Sequence, residues 1–409
     1  MFSASSLIVT LTLALAVAAN PLLAREPLVT LPFAKRVNVT GTSTLIQHDQ
    51  ARARGLKRLG QARAGGVVSD AVDVPATNEL VDYVVNVGVG TPATTYSLLV
   101  DTGSSNTWVG AGKKFVKTSS SVQTKDRVSV TYGSGEFSGN EFTDTVTIGS
   151  LVIKGQSIGV ATSSQGFSGV DGILGIGPVD LTSDTLSPDT RNTIPTVTDN
   201  LFSSGSISEN LVAVSFEPTT SETAANGELT FGGTDSSKFT GSISFAPITG
   251  TSPASEFWGI DQSVTYGTNT NILSSTAGIV DTGTTLTLLA SDALAKYQKA
   301  TGAVNDNATG LLKLTTAQFN NLQSLFFNIN GQQFELTANA QIWPRNLNTA
   351  IGGSANSIYL IVGDLGTDSG EGLDFINGQT FLERFYAVFD TANKRVGLAT
   401  TSFTQATTN

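Results

Sequence analysis

The feature that most constrains this chain is an internal duplication. Leu99-Val100-Asp101-Thr102-Gly103-Ser104-Ser105 is echoed by Ile279-Val280-Asp281-Thr282-Gly283-Thr284-Thr285, and the two Asp residues lie 281 − 101 = 180 residues apart. Each copy is followed by a weaker echo: Gly169-Val170-Asp171-Gly172-Ile173-Leu174-Gly175 after the first, and Gly372-Leu373-Asp374-Phe375-Ile376-Asn377-Gly378 after the second. Two motifs recurring in the same order imply two related lobes, and a body of about 340 residues divides into units of about 170, an ordinary domain size. A lone Asp-Thr-Gly reads most simply as a turn. Two copies, each after an apolar run and before a hydroxyl pair, place each Asp at the tip of a buried strand.

From about Ala71 onward, short runs rich in Val, Ile, Thr and Phe are punctuated by Gly, Asn, Asp and Ser, as at 83–89, 96–100 and 142–148. This is the pattern of a mostly-β protein of many strands. Helical periodicity is confined to 196–203, 290–301 and 315–326, expected to be peripheral. At 128–137 two alternating runs flank the tip Tyr132-Gly133-Ser134-Gly135, which reads as a β-hairpin. Asn307-Ala308-Thr309 is an N-glycosylation sequon that makes Asn307 a candidate on an exposed loop; a second, Asn38-Val39-Thr40, falls near the N-terminus.

The N-terminal region differs in composition. Ser6 to Ala19 is an uncharged apolar run that ends in Val17-Ala18-Ala19, the pattern of a secretory signal peptide, and the run is shorter than a membrane-spanning helix needs. Residues 20–64 carry eight basic residues against Glu26 and Asp49, about +6. Since the whole chain has 23 basic and 33 acidic residues, the remainder holds 15 and 31, a net charge of 15 − 31 = −16. The expected organisation is a signal peptide at 1–19, a basic propeptide at 20–64, an N-terminal lobe at 65–250 and a C-terminal lobe at 251–409. The polar C-terminus carries no lipid-anchor signal, so the expected product is secreted and extracellular.

Absent residue types exclude whole chemistries. There is no cysteine, hence no disulfide, thiol nucleophile or thiolate metal site, and the only histidine, His48, lies in the basic leader. A body without histidine has no Ser-His or Cys-His pair and no imidazole zinc ligand. Carboxylates remain. No Ca²⁺ loop spacing and no basic stripe with interleaved aromatics is present, so no metal, cofactor or nucleic acid is expected.

These motifs resemble those of the pepsin-like aspartic proteases, over essentially the whole chain to Thr400. The resemblance implies a mostly β, bilobal pepsin-like acid protease fold: two pseudo-symmetric β lobes, a cleft between them and a β-hairpin flap. It implies a catalytic dyad of Asp101 and Asp281 that shares a proton and activates a water between the lobes. Gly103 and Gly283 would hold the carboxylates coplanar through their amides, Thr102 and Thr282 would cross-brace the two loops, and Ser104 and Thr284 would bond the outer oxygens. Tyr132, Gly133 and Ser134 would form the flap tip over a peptide substrate, with Trp108 holding the Tyr132 hydroxyl.

By the same resemblance the propeptide is an intramolecular inhibitor that sets a lysine on the dyad, with Lys57 the candidate; acid weakens the attraction of the basic segment to the acidic body and so releases it, the alternative being a trans-acting protease at Lys57-Arg58 or Lys35-Arg36. The partners are polypeptide substrates, and the enzyme is expected to be a monomer. Where some relatives carry Asp at the flap tip and accept lysine, Ser134 implies poor acceptance. Asn377 departs from the apolar residue usual there, and a buried polar side chain needs a partner. A catalytically silent binding protein of this fold is the alternative, but such proteins usually lose an Asp or the flap Tyr, and here all three are intact. A carboxylate-pair glycosidase explains neither the repeat nor the leader.

Overall fold

The computed structural model describes residues 28–37, 44–65 and 81–409. The expected signal peptide, the sequon at Asn38 and the 66–80 connection lie outside the described residues. In chain order the first elements are strand β1 (Val29–Val37), helix α1 (Leu45–Arg63), and strands β2 (Val81–Val89), β3 (Thr94–Asp101), β4 (Trp108–Val109), β5 (Val122–Thr131), β6 (Glu136–Ile148), β7 (Leu151–Gln165) and β8 (Gly172–Gly175). Among the described residues, fourteen strands form one sheet, with separate sheets of seven and three strands.

Period-two burial explains the strands. Along β6, Phe142, Asp144, Val146 and Ile148 are buried, while Thr143, Thr145 and Thr147 between them are partly exposed. β3 is buried on both faces at Leu98, Leu99 and Val100, as a central strand must be. The fourteen-stranded sheet bridges the two halves, because the strands Phe385–Asp390 and Arg395–Thr400 join it beside Leu211–Ser215.

The duplication is visible as topology. β3 runs parallel to β8 with Asp101 opposite Gly175, and β4 is antiparallel to β8 and parallel to β7. In the second half Thr270–Val280 runs parallel to Phe375–Asn377, with Val280 opposite Asn377. There Thr287–Leu289 is antiparallel to Phe375–Asn377 and parallel to Val362–Asp364. Each catalytic-type Asp therefore leaves the C-terminal end of a central strand whose neighbour is the second echo of the repeat.

Two helical expectations need amendment. The segment 315–326 is helical only over Thr316–Asn320; from Leu325 the alternation of buried Leu325, Phe327 and Ile329 makes a strand, Leu325–Ile329. Tertiary burial at period two overrides the helical start set by the Thr315–Gln318 capping box. The longest helix among the described residues, α1, was not expected at all. It starts at a Thr44–Gln47 capping box, a feature typically worth about 1 kcal/mol.

The basic leader is built into the body. β1 lies antiparallel between β2 and Thr223–Phe231. Lys35 on β1 is buried, its Nζ 2.5 Å from Glu383 Oε1, which also accepts the Tyr83 hydroxyl at 2.9 Å. An ion pair held out of water is strongly destabilised when one partner is removed, so β1 is tightly tied to the sheet.

Candidate active site

Asp101 and Asp281 meet where the two central strands end, both fully buried. Their surroundings match atom for atom. Gly103 N–H donates to Asp101 Oδ1 at 2.9 Å and Gly283 N–H to Asp281 Oδ1 at 3.1 Å. The Ser104 hydroxyl donates to Asp101 Oδ2 at 2.5 Å and the Thr284 hydroxyl to Asp281 Oδ2 at 2.6 Å. Each carboxylate thus has an inner oxygen held by backbone and an outer one held by a hydroxyl, which fixes both planes.

The two threonines cross between lobes. Thr102 N–H donates to Thr282 Oγ1 at 3.0 Å, and Thr282 N–H to Thr102 Oγ1 at 2.9 Å. The hydroxyls then donate onward, Thr102 to the Val280 carbonyl at 3.2 Å and Thr282 to the Val100 carbonyl at 2.8 Å. Four buried hydrogen bonds close on two residues, so neither loop can shift without the other. Close approach requires glycine beside each Asp: a Cβ on Gly103 would sit 2.6 Å from Asp281 Oδ1, and one on Gly283 would sit 2.8 Å from Asp101 Oδ1.

Arg52 of α1 lies between the carboxylates. Its Nη2 donates to Asp101 Oδ1 at 2.5 Å and to Asp281 Oδ1 at 2.9 Å, while Nε donates to Asp281 Oδ2 at 2.8 Å. The guanidinium fork suits a pair of planar carboxylates, and its charge does not titrate in any working range. Burial pushes the Asp101 carboxyl above the ordinary carboxylate value; Arg52 opposes this and the neighbouring Asp281 adds to it. Burial acts upward on Asp281 too, but the Arg52 charge and hydrogen bond, with Thr284 and the Gly283 N–H, outweigh it and hold Asp281 low.

Lys57, the expected lysine, is not between the two carboxylates, where an arginine stands instead. Lys57 reaches Glu371, which is about half exposed, and the Thr367 hydroxyl. The reason is helical phase: Asp49 and Arg52 lie three residues apart on one face of α1. Asp49 accepts the N–H groups of Thr285 and Leu286 at 3.3 and 2.7 Å and so anchors that face on the loop that follows Asp281. The local signal for Arg52 was the capping box, which sets where the helix begins and so which residues share its inner face.

The hairpin β5–β6 turns at Tyr132, Gly133, Ser134 and Gly135, with Tyr132 N–H donating to the Gly135 carbonyl at 2.8 Å. α1 passes directly beneath it. A Cβ on Gly55 would lie 2.4 Å from Gly133 Cα, and Gly133 itself has φ +78°, so both positions need glycine. The tip is buried there: Tyr132 packs edge-on against Phe167 at 5.4 Å, and Ser134 Oγ has no hydrogen-bond partner among the described residues. The Trp108–Tyr132 hydrogen bond implied by the resemblance is not made in this arrangement. Trp108 stacks on Phe137 at 4.2 Å, and its Nε1 has no partner among the described residues, because α1 fixes where the hairpin rests.

Asn377 is fully buried and has found its partner. Its Nδ2 donates to Gln262 Oε1 at 2.8 Å, and Gln262 Nε2 returns a bond to Asn377 Oδ1 at 3.3 Å. Asn307 is exposed, in a turn where the Thr309 hydroxyl donates to Asp306 Oδ2. Among the described residues no helix is long and apolar enough to cross a membrane.

The family model for eukaryotic aspartyl proteases matches residues 82–401. Polyporopepsin from Irpex lacteus is 78% identical over 339 residues, which cover 83% of this chain and 100% of that protein. Rhizopuspepsin from Rhizopus chinensis is 33% identical over 420 residues, covering 97% and 98% of the two chains. The crystal structure of the aspartic proteinase from Irpex lacteus superposes with a TM-score of 0.81 at 68% identity, covering 93% of this chain and 100% of that one.

Proposed function

The chain belongs to the eukaryotic aspartyl proteases and is an aspartic endopeptidase of the pepsin family, and from that premise we propose a secreted enzyme, made with an inhibitory leader, that cleaves peptide bonds at acid pH through a water activated by Asp101 and Asp281. The observation that carries this reading is one nitrogen bridging the inner oxygens of both carboxylates, Arg52 Nη2 at 2.5 and 2.9 Å. Those are the oxygens an attacking water would have to bridge, so the leader and the reaction compete for one place.

With Arg52 withdrawn, two carboxylates this close cannot both ionise cheaply, and one proton is shared between them. The ionised partner takes a proton from the water as it attacks the peptide carbonyl. The protonated partner donates to the developing oxyanion and later to the leaving amine. Gly103, Gly283, Ser104 and Thr284 keep both acids in plane through this exchange, and the Thr102–Thr282 brace keeps the lobes in register.

Substrate binds extended beneath the hairpin, adding a strand whose main chain bonds Gly133 and Ser134, with side chains in alternating apolar pockets. Large apolar residues flanking the cut are favoured. Ser134 brings no charge to the flap tip, so lysine before the scissile bond is a poor substrate. After acid treatment of the full chain, N-terminal sequencing reads leader loss, and matched peptides carrying Phe or Lys before the cut read specificity. Turnover of the Phe peptide at least about tenfold above the Lys peptide is expected, since a hydrophobic pocket discriminates by about that much or more; equal turnover contradicts the assignment of Ser134.

Acid operation also suits the stability of the body. Glu141 on β6 is buried, bonded by the Ser157 hydroxyl at 2.5 Å, and burial pushes its carboxyl up to about 7. A carboxyl raised in the folded state stabilises fully below its unfolded value, and that contribution is lost as pH rises through the folded one. From the ordinary 4.5 to about 7 the loss is about 3 kcal/mol. Melting curves between about pH 4.5 and 8 should therefore fall by roughly 5 °C or more, and Glu141→Gln should flatten that fall. Parallel curves for the two proteins contradict it.

A further inference from the structure

We propose that the buried amides of Gln262, Asn377 and Gln379 are positioning residues that hold the second catalytic loop, a task the first lobe leaves to apolar packing. The proposal rests on the dyad reading above and concerns how Asp281 is held rather than whether it reacts.

The strand registers define the comparison. Leu174 lies opposite Val100, the residue before Asp101, and Asn377 lies opposite Val280, the residue before Asp281. Two residues further on, Ile176 in the first lobe corresponds to Gln379 in the second. Leu174 and Ile176 are buried hydrocarbon; Asn377 and Gln379 are equally buried amides. The glycine, hydroxyl and crossed-threonine hydrogen bonds around the two Asp residues are alike in the two lobes, so this is a departure from symmetry directly beneath the reacting groups.

The Gln379 side chain touches the loop that carries Asp281 directly, and the Gln262–Asn377 pair acts on it through the Asn377 main chain. The Asn377 carbonyl accepts the Asp281 N–H at 3.2 Å, while its side chain is locked to Gln262 on the strand Gly259–Tyr266. Gln379 Nε2 donates to the Thr282 carbonyl at 2.9 Å, and its N–H donates to the Thr284 carbonyl at 2.8 Å. Thr282 is one arm of the cross-brace between lobes, and Thr284 holds the outer oxygen of Asp281. A hydrocarbon packs into any nearby rotamer, but a reciprocal amide pair has one geometry, so the second loop is pinned directionally.

A test follows from the asymmetry of buried hydrogen bonds. Removing one amide leaves its partner unsatisfied and destabilises, whereas replacing both by hydrocarbon of similar shape is near neutral. Gln262→Leu or Asn377→Leu alone should lower the melting temperature, and the double variant should recover most of that loss. If the pair positions Asp281, the recovered double variant still shows kcat reduced about tenfold with KM within about twofold, since small misplacement of a reacting group is costly. Gln379→Ile should show the same split, and the limbs of the kcat pH profile should move in both. The swapped pair Gln262→Asn with Asn377→Gln, which restores two amides, should regain activity and serves as the control if a leucine variant does not fold.

A double variant that melts near the wild type and keeps wild-type kcat overturns the proposal, as does an unchanged pH profile in Gln379→Ile. Wild-type protein freed of its leader and unable to cleave would instead overturn the dyad reading, so the two failures are separable.

Discussion

Full-length protein carrying Arg52→Ala is expected to cleave a reporter peptide at mildly acid pH, about 5 to 6, where the unaltered full-length chain is silent. Arg52 is almost wholly buried and makes three charge-assisted bonds to the two carboxylates. Removing one partner of a buried ion pair costs about 3–5 kcal/mol. Here the two carboxylates left behind can share a proton, which softens the loss, so the lower end applies, roughly a hundredfold in leader docking. At up to tenfold per pH unit for each linked proton, that moves leader release about one to two units toward neutral.

The sign follows from Asp281. Its carboxyl is held low with the leader in place, so its contribution to docking is present above the ordinary carboxylate range and is lost as pH falls through the depressed value. Arg52 itself cannot deprotonate to release the helix, so protonation on the carboxylate side must do it. Arg52→Lys keeps the charge but loses the fork and should fall between. Lys57→Ala should change little, because its partner Glu371 is 51% exposed at the side chain and such pairs are worth about 1 kcal/mol or less. An Arg52→Ala chain with the wild-type threshold contradicts the clamp.

What the sequence made legible was whatever repeated or alternated. The two Asp-Thr-Gly copies carry their hydroxyl and glycine partners within three residues, so local order alone located most of the dyad's ligands. The hairpin at 128–137 was readable because its burial alternates. Helix α1 was not, because its buried face mixes charge with hydrocarbon: His48, Asp49 and Arg52 are buried together with Leu45, Ile46, Ala51, Ala53, Leu56 and Gly60. A helix that lies in a polar cleft hides its charges as other helices hide leucines, and periodicity of hydrophobicity cannot find it. Distance along the chain pointed to Lys57, and only the helical phase brings Arg52 to the carboxylates.

Asn377 shows a different limit. Its polarity at a buried strand position announces that a partner exists, but Gln262 lies 115 residues away in sequence and only the sheet register brings it alongside. The Trp108 hydrogen bond is absent for a third reason: Gly55 of α1 presses against Gly133, so the hairpin rests on the helix.

The central claim is that Asp101 and Asp281 together are the reacting groups. Asparagine at either position keeps shape and much of the hydrogen bonding while removing both ionisation and proton transfer. The direct measurement is cleavage of unfolded haemoglobin from about pH 2 to 7 by leader-free enzyme, by Asp101→Asn and by Asp281→Asn, each with and without pepstatin. Pepstatin-sensitive acid activity in the wild type, with kcat down about 10⁴-fold in each variant, is the predicted result. Either variant, folded and free of its leader, retaining a tenth or more of wild-type kcat would contradict it.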